Sequence, residues 1–389
     1  MPASAAVRGD LLIPAQGDCQ RLAAAVWSRH IPATAPSPPQ YPDIMPAIPA
    51  PDLSARSAAA ARQQQLTKPT GSLGKLEDIA ITLAGLQGRE IPQPLRPAIT
   101  VFAGDHGVCA EGVSAYPPEV TAAMVANFVH GGAAINVLAR SNQARLEVVD
   151  AGVAADVSAL PVVHAKVRAG SGNIRREPAM SAAECEAALH VGRMAARRAI
   201  ADGASLLIAG DMGIGNTTPS AALICRLSGH SPAAIVGRGT GVDDAALAHK
   251  CQVVADALAR VPAEASGQAL LAELSGLEIA AMAGFYLEGA AQGVPLLLDG
   301  FISTAAALAA RAIQPDITPW LLASHCSQET GHALALAELG LTPLIDFGLR
   351  LGEGSGAALA LPLLQQAIAL HAGMATFAEA GVAGKSEPA

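Results

Sequence analysis

Five loops of this chain carry residues able to do chemistry. Gly210-Asp211-Met212-Gly213-Ile214-Gly215-Asn216-Thr217-Thr218-Pro219 follows an apolar run and opens a helical pattern. Glycines let a backbone approach a ligand, and the free N–H groups and dipole of a helix start attract an anion, so a phosphate fits here. A tight glycine-rich turn with no ligand fits the same residues. The stretch is neither a Walker loop nor a GxGxxG fingerprint. Thr218 reads as the helix cap, and Pro219 suits the first turn.

Val236-Gly237-Arg238-Gly239-Thr240-Gly241 offers a second glycine-rich corner, with Lys250 about two turns into the next helix. Either cation can neutralise a phosphate, although Lys250 alone also reads as a solvated surface lysine. Ser324-His325-Cys326-Ser327 supplies two hydroxyls and an imidazole for phosphate or ribose, or simply a polar helix start. It lacks the flanking glycines of a nucleophile elbow. Leu351-Gly352-Glu353-Gly354-Ser355-Gly356 brackets a carboxylate with glycines. Burial beside apolar neighbours would raise its pKa toward that of a general base; exposure would leave it an ordinary loop Glu. Gly104-Asp105-His106-Gly107-Val108 leads into Glu111 to Pro117. Asp105–His106 reads as a metal or acid–base pair, or as a structural hydrogen bond at a strand end. No three ligands have metal spacing, so neither metal nor cofactor is expected.

These loops need a scaffold that aims them at one place. Short apolar runs alternate with helical patterns from residue 98 onward. The strands are read as Ala98 to Ala103, Leu146 to Asp150, Leu206 to Ala209, Ala233 to Val236, Pro295 to Leu298, Trp320 to Ala323 and Pro343 to Phe347. Between them lie helices such as Pro118 to Leu138, Glu184 to Ala201, Asp243 to Arg260 and Glu278 to Gln292. The pattern predicts an α/β fold, a doubly wound, mostly parallel sheet flanked by helices, with ligands beyond the carboxyl ends of the strands. Helices at Asp52 to Gln65, at Lys75 to Leu86 and over much of Ala357 to His371 complete the reading. Residues 1–51 hold eight prolines between Pro32 and Pro51 and read as an extended arm rather than a packed element.

Composition narrows the function. Hydrophobic residues make up 51% of 389 and charged ones 15%, enough for a large core. Aromatics are 3%, so that core is built from small aliphatic side chains. A net charge of −8 without basic runs disfavours nucleic acid. Six cysteines without CxxC spacing, and no leader pattern at the start, suggest reduced thiols in a cytoplasmic protein. Mean hydropathy is +0.36, but polar residues interrupt the apolar runs before a membrane span is reached.

Taken in order, KPTGSLGKL (68–76), GDHGVCAEGV (104–113), GDMGIGNTTP (210–219), VPLLLDGF (294–301), SHCS (324–327) and RLGEGSGAAL (350–359) resemble the nicotinate-nucleotide–dimethylbenzimidazole phosphoribosyltransferases. The likeness spans about residues 45 to 375. It implies a large α/β domain over 98–350, and a smaller helical domain assembled from 52–97 and 351–389. The latter segment carries the catalytic loop. It implies a homodimeric pentosyltransferase that moves phosphoribose from nicotinate mononucleotide to a benzimidazole-type base, in building the nucleotide loop of cobalamin. Glu353 is then the general base. Gly213, Gly215, Asn216, Thr217, Gly239, Lys250, Ser324 and Ser327 serve the nucleotide and its phosphate. Asp105, His106, Tyr116, Met124 and Leu351 serve the base. Asp211 stands where some relatives carry Glu and is grouped with the catalytic acids, one methylene shorter. Tyr116 and Met124 replace small polar residues of some relatives and make the pocket more apolar. The Pro-rich first 50 residues have no family counterpart.

Three other readings compete. An enzyme using a pyrophosphate-activated sugar needs two adjacent acids after its strand, and Leu298-Asp299-Gly300 has one. A mononucleotide-binding regulator would have no need of Glu353. A dinucleotide oxidoreductase lacks its fingerprint loop.

Overall fold

The computed structural model describes residues 47–239, 241 and 243–383. Six strands form one wholly parallel sheet: β1 (Pro97–Gly104), β2 (Arg145–Gly152), β3 (Val163–His164), β4 (Leu206–Met212), β5 (Leu296–Leu298) and β6 (Leu321–Ala323). Their order is β3-β2-β1-β4-β5-β6. From Ala98 on, every residue of β1 is buried. A strand covered on both faces reads as an unbroken apolar run, which is why this one was visible. The chain winds from β1 out to β3, then crosses back to lay β4 on the other side of β1, with Val101 opposite Val148 and Gly210. Order reverses there, so a crevice opens beyond the ends of β1 and β4.

The abundance of Ala and Gly has a packing cause. Ala182–Ala201 lies along Leu277–Ala291 in the most extensive helix pair of the molecule. A Cβ on Gly192 would overlap the Ala281 carbonyl oxygen, and one on Gly284 the Leu189 carbonyl oxygen. The two backbones touch, so larger residues are excluded. Leu277–Ala291 has almost no solvent-facing residue, which places it in the centre of the core.

Leu53–Gln65 is started by Asp52, whose side chain accepts from the Ala55 N–H at 2.9 Å. It packs on Lys75–Gln87, which packs on Ser355–Gly373. Helices from both ends of the chain therefore lie together. Val120–Ser141 and Ser355–Gly373 are long and apolar enough to cross a membrane by length and composition alone. The second buries Leu361, Leu364, Ala367 and Ile368 inside this fold, and the first is two helices.

Several sequence expectations need correction. Pro118 to Leu138 is Val120–His130 and Ala134–Ser141, separated at Gly131-Gly132, with Gly131 left-handed at φ +78°. Ala233 to Val236 is not a strand but the short helix Pro232–Ile235, because Pro232 fixes a helical φ at its first position. Pro343 to Phe347 contributes one bridge, Ile345 to His325, and no strand. Gly267–Leu274 and His332–Glu338 are helices that sequence reading passed over. Most of the Pro-rich segment, and Thr240 in the second loop, lie outside the described residues. The described end of that segment packs: Ile48 is buried, and the Pro49 carbonyl accepts from Trp320 Nε1 at 2.8 Å.

Candidate active site

The crevice gathers loops from β1, β4, β5 and the approach to Ser355–Gly373. At the end of β4, the Gly213–Asn216 turn leads into Thr217–Ser228. Asn216, not Thr218, occupies the cap position, and its side chain does not cap. Its Nδ2 donates instead to Asp211 Oδ2 at 2.9 Å. Asp211 is buried, and its pKa rises to about 8. Burial is the main cause, with Asp299, Glu278 and Glu353 adding repulsion that the Asn216 bond only partly offsets.

The Glu353 turn and the helix start that follows it are held by four hydrogen bonds. Its backbone N–H reaches the Asp211 carbonyl at 3.3 Å. The N–H groups of Gly354 and Ala357 donate to the two Asp299 carboxyl oxygens at 3.1 and 2.9 Å. The side-chain Oε2 accepts from the Ile135 N–H at 3.2 Å. Ile135 lies in the first turn of Ala134–Ser141, so the break at Gly131-Gly132 frees the N–H that meets the carboxylate. Gly352, Glu353 and Gly354 are all left-handed, at φ +87°, +65° and +92°. Such a backbone costs a non-glycine residue about 1–2 kcal/mol, which the Asp211 and Asp299 anchors offset. The side chain is buried, with the residue 4% exposed. Burial raises the Glu353 pKa, the Ile135 N–H opposes that, and Asp299 adds to it. The result is a buried carboxyl group that takes up a proton more readily than an exposed glutamate.

Lys250, on Asp244–Arg260, is 1% exposed and not a surface lysine. Its Nζ donates to Thr217 Oγ1 at 2.7 Å and to the Gly237 carbonyl at 3.2 Å, which ties the first two loops together. Burial lowers its pKa to about 8, with Glu329 acting in the opposite direction. Arg350 Nη1 donates to the Gly239 carbonyl at 3.2 Å. A cleft of about 390 Å³ lies here, lined by Arg238, Gly239, Leu247, Glu329, Thr330 and Arg350 among others. Arg350, three residues before Glu353, thus links the approach to the Glu353 turn to the glycine corner that Lys250 also meets.

A phosphoribosyltransferase family model matches residues 48–382. The nicotinate-nucleotide–dimethylbenzimidazole phosphoribosyltransferase of Chromobacterium violaceum is 68% identical over 336 residues, 86% of this chain and 98% of that one. This chain belongs to the nicotinate-nucleotide–dimethylbenzimidazole phosphoribosyltransferase family. The Pseudomonas aeruginosa enzyme of that name is 55% identical over 333 residues, 85% of this chain and 95% of its own. The crystal structure of CobT from Thermus thermophilus superposes with a TM-score of 0.83 at 52% identity, covering 85% of this chain and 99% of that one.

The remaining residues expected from the phosphoribosyltransferase resemblance fall into two groups. Ser324 is fully buried, and its Oγ donates to the Asp299 carbonyl at 3.3 Å and lies 3.0 Å from His325 Nδ1. Ser327 gives its N–H to His332 Nδ1 at 2.7 Å, while its Oγ accepts from the Glu329 N–H at 3.3 Å. Asp105 Oδ2 accepts from the Ala154 N–H at 2.7 Å, and His106 Nε2 pairs with Glu278 Oε1 at 2.8 Å. By contrast, Tyr116 and Leu351 stand 54% and 60% exposed, and Met124 is half-buried. Among the described residues, no group of three or more His, Cys, Asp or Glu side chains could hold a metal ion.

Three acidic residues that tie these loops to their surroundings escaped the sequence reading. Asp299 was noted only as a solitary acid; its task is to fix the turn of Glu353. Glu278 sits in an all-buried helix whose pattern marks no polar face. Glu111 was read only as part of a motif, yet it is a hub. Its carboxylate accepts from Arg175 Nη1 and Asn173 Nδ2, both at 2.7 Å, and from Arg176 Nε at 2.8 Å. Its carbonyl meets His249 Nε2, next to Lys250, at 2.7 Å. The first loop after β1 is thereby yoked to the lysine-bearing helix. The bonds from Arg175 and Asn173 pull the Glu111 pKa down to about 2 from an ordinary 4.5. A depressed folded-state pKa stabilises the fold above pH 4.5, and the benefit is lost as pH falls toward 2. Glu111→Gln is therefore expected to lower Tm at pH 7 and to narrow the gap from the unaltered protein between pH 4.5 and 2. A calorimetric pH series checks this, and a gap that stays constant with pH would refute it.

Proposed function

We propose that this chain transfers the 5-phosphoribosyl group of nicotinate mononucleotide to 5,6-dimethylbenzimidazole, giving α-ribazole 5′-phosphate and nicotinate for the nucleotide loop of cobalamin. The observation that carries the reading is the buried Glu353 carboxyl, fixed in a left-handed turn against Asp211, which leads into the Gly213–Asn216 turn whose next residue, Thr217, accepts from Lys250.

The reaction suits those residues. In the mononucleotide the leaving ring is a pyridinium. When its bond to C1′ breaks, the electron pair returns to the ring nitrogen, and nicotinate departs without an acid catalyst. The incoming azole bonds to C1′ through one nitrogen while the other gives up its proton. Glu353 accepts that proton, which strengthens the nucleophile as the bond forms. Attack opposite the leaving ring inverts the anomeric carbon, hence the α product. Gly213, Gly215, Asn216 and Thr217, with Gly239, Lys250, Ser324 and Ser327, hold the nucleotide. That anchoring supplies positioning energy remote from the reacting atom. Asp105, His106, Tyr116, Met124 and Leu351 shape the base pocket. Asp211, protonated up to about pH 8, is an acid close to the Glu353 turn rather than a second base. The working unit is a homodimer in the cytoplasm, folded as a large domain over 98–350 and a small helical one from 52–97 and 351–389.

The test is incubation with nicotinate mononucleotide and a panel of benzimidazoles, purines and phenols, following nicotinate and ribotide by chromatography, with and without Mg²⁺. Nicotinate release paired with α-ribotide, fastest with 5,6-dimethylbenzimidazole and indifferent to Mg²⁺, is expected. Absence of release with every base, or an absolute need for Mg²⁺, would overturn the reading.

A further inference from the structure

Beneath the Gly213 turn lies a buried ion pair whose glutamate the reaction above does not use. His106 Nε2 and Glu278 Oε1 are 2.8 Å apart, with side-chain exposures of 1% and 0%. The pair joins the corner after β1 to the first turn of Leu277–Ala291, the central helix of the core. The backbone is shaped around it. A Cβ on Gly276 would overlap His106 Cε1 and come within 2.6 Å of Glu278 Oε2. One on Gly104 would lie 3.0 Å from the same oxygen, and one on Gly213 would lie 3.0 Å from His106 Nε2. The imidazole therefore sits directly against the turn that opens the nucleotide loop.

The groups that face His106 are all acidic: Glu278 from the central helix, Asp105 from its own strand end and Asp211 from β4. Burial disfavours the charged ring, but these carboxyl groups outweigh it, and the His106 pKa is raised. A doubly protonated ring donates from both nitrogens. Nε2 is committed to Glu278, and Nδ1 has no hydrogen-bond partner among the described residues.

We propose that Glu278 is a positioning residue of the transfer site, which holds His106 as a fixed imidazolium against the Gly213 turn. Glu278 touches no reacting atom and acts through His106. The ring sets the height of the turn and places one buried positive charge beside Glu278 and Asp105. Without the glutamate charge the ring becomes neutral, its tautomer is no longer dictated, and the turn loses its support. The inference rests on the phosphoribosyl-transfer reading for its kinetic arm alone.

Glu278→Gln is the test, because it keeps an acceptor for Nε2–H and removes the charge. With ¹⁵N-histidine labelling, the unaltered protein is expected to show a doubly protonated His106 at pH 7.5, and the variant a neutral one. The variant's kcat/KM for nicotinate mononucleotide should fall at least tenfold at pH 8. The deficit should shrink as pH falls and the ring regains its proton. A structural defect alone would lower both ends equally. Should Glu278→Gln melt below assay temperature, Glu278→Asp carries the test, since it keeps the charge and must keep His106 doubly protonated. A neutral His106 in the unaltered protein, a neutral ring in Glu278→Asp, or a Glu278→Gln deficit independent of pH overturns the proposal. Absence of transfer by the unaltered enzyme would instead strike the reaction reading, and the ring's protonation state would then be judged by NMR alone.

Discussion

Glu353→Gln is expected to lower kcat by about 10²–10⁴, the range a positioned general base contributes, while nicotinate mononucleotide binds almost as before. Glutamine retains an oxygen for the Ile135 N–H and leaves the anchors at Asp211 and Asp299 in place. The loss therefore reports proton transfer and not collapse of the turn. Stability should move the other way. The folded-state pKa of Glu353 is raised above 4.5, chiefly by burial. Stability from the neutral form is complete below 4.5 and is lost as pH rises through the folded value. At neutral pH the ionised side chain is a burden on the fold, and the neutral amide removes it. A variant that melts higher at pH 8 yet turns over a hundredfold slower is the expected signature. Single-turnover kinetics and calorimetry on one preparation measure both. A rate within threefold of the unaltered enzyme would remove Glu353 from the role of base.

Lys250→Met should raise the nucleotide KM by about 10–100-fold, the scale of a lost hydrogen bond to a charged group, and lower kcat much less. Remote anchoring that is equal in the ground and transition states appears in KM. The lysine is buried and bonded to Thr217 and Gly237, so its ammonium is already aimed at the glycine corner. Its pKa, lowered to about 8, adds a pH signature. The free enzyme loses this cation as pH rises past 8, and the KM of the unaltered enzyme should climb there while that of the variant stays flat. Substrate-saturation curves between pH 7 and 9 provide the check. A variant with unchanged KM and a depressed kcat would place Lys250 at the chemistry rather than at the phosphate.

Much of this was legible before folding. The strands were found because both faces of a parallel sheet are covered, so β1 and the start of β4 are apolar runs, while β2 shows only a short one between its charged residues. The loops at their ends were found because glycines next to acids and hydroxyls are unusual outside ligand sites. What escaped were long-range relations. That Asp299 serves the Glu353 turn depends on β5 lying beside the start of Ser355–Gly373, which no local pattern encodes. The helix read across Gly131-Gly132 was misjudged because apolar periodicity runs on through the break, yet the break supplies the N–H that meets Glu353. Lys250 looked like a solvated lysine because its cover comes from loops about 13 and 33 residues away. Glu278 was invisible because its partner, His106, stands 172 positions earlier.

The all-parallel sheet has a temporal consequence. On a ribosome, β1 emerges about a hundred residues ahead of β4, the neighbour against which it must zip. The helices Leu53–Gln65 and Lys75–Gln87 wait longer still, until the helix beginning at Ser355 is released. Pairings so distant along the chain are slow to form, and the nascent intermediate shows greasy strand edges to its surroundings. The segment that closes the structure is also the one bearing Glu353, so a half-made polypeptide owns no working catalyst. Competence arrives last, together with the final clasp of the fold.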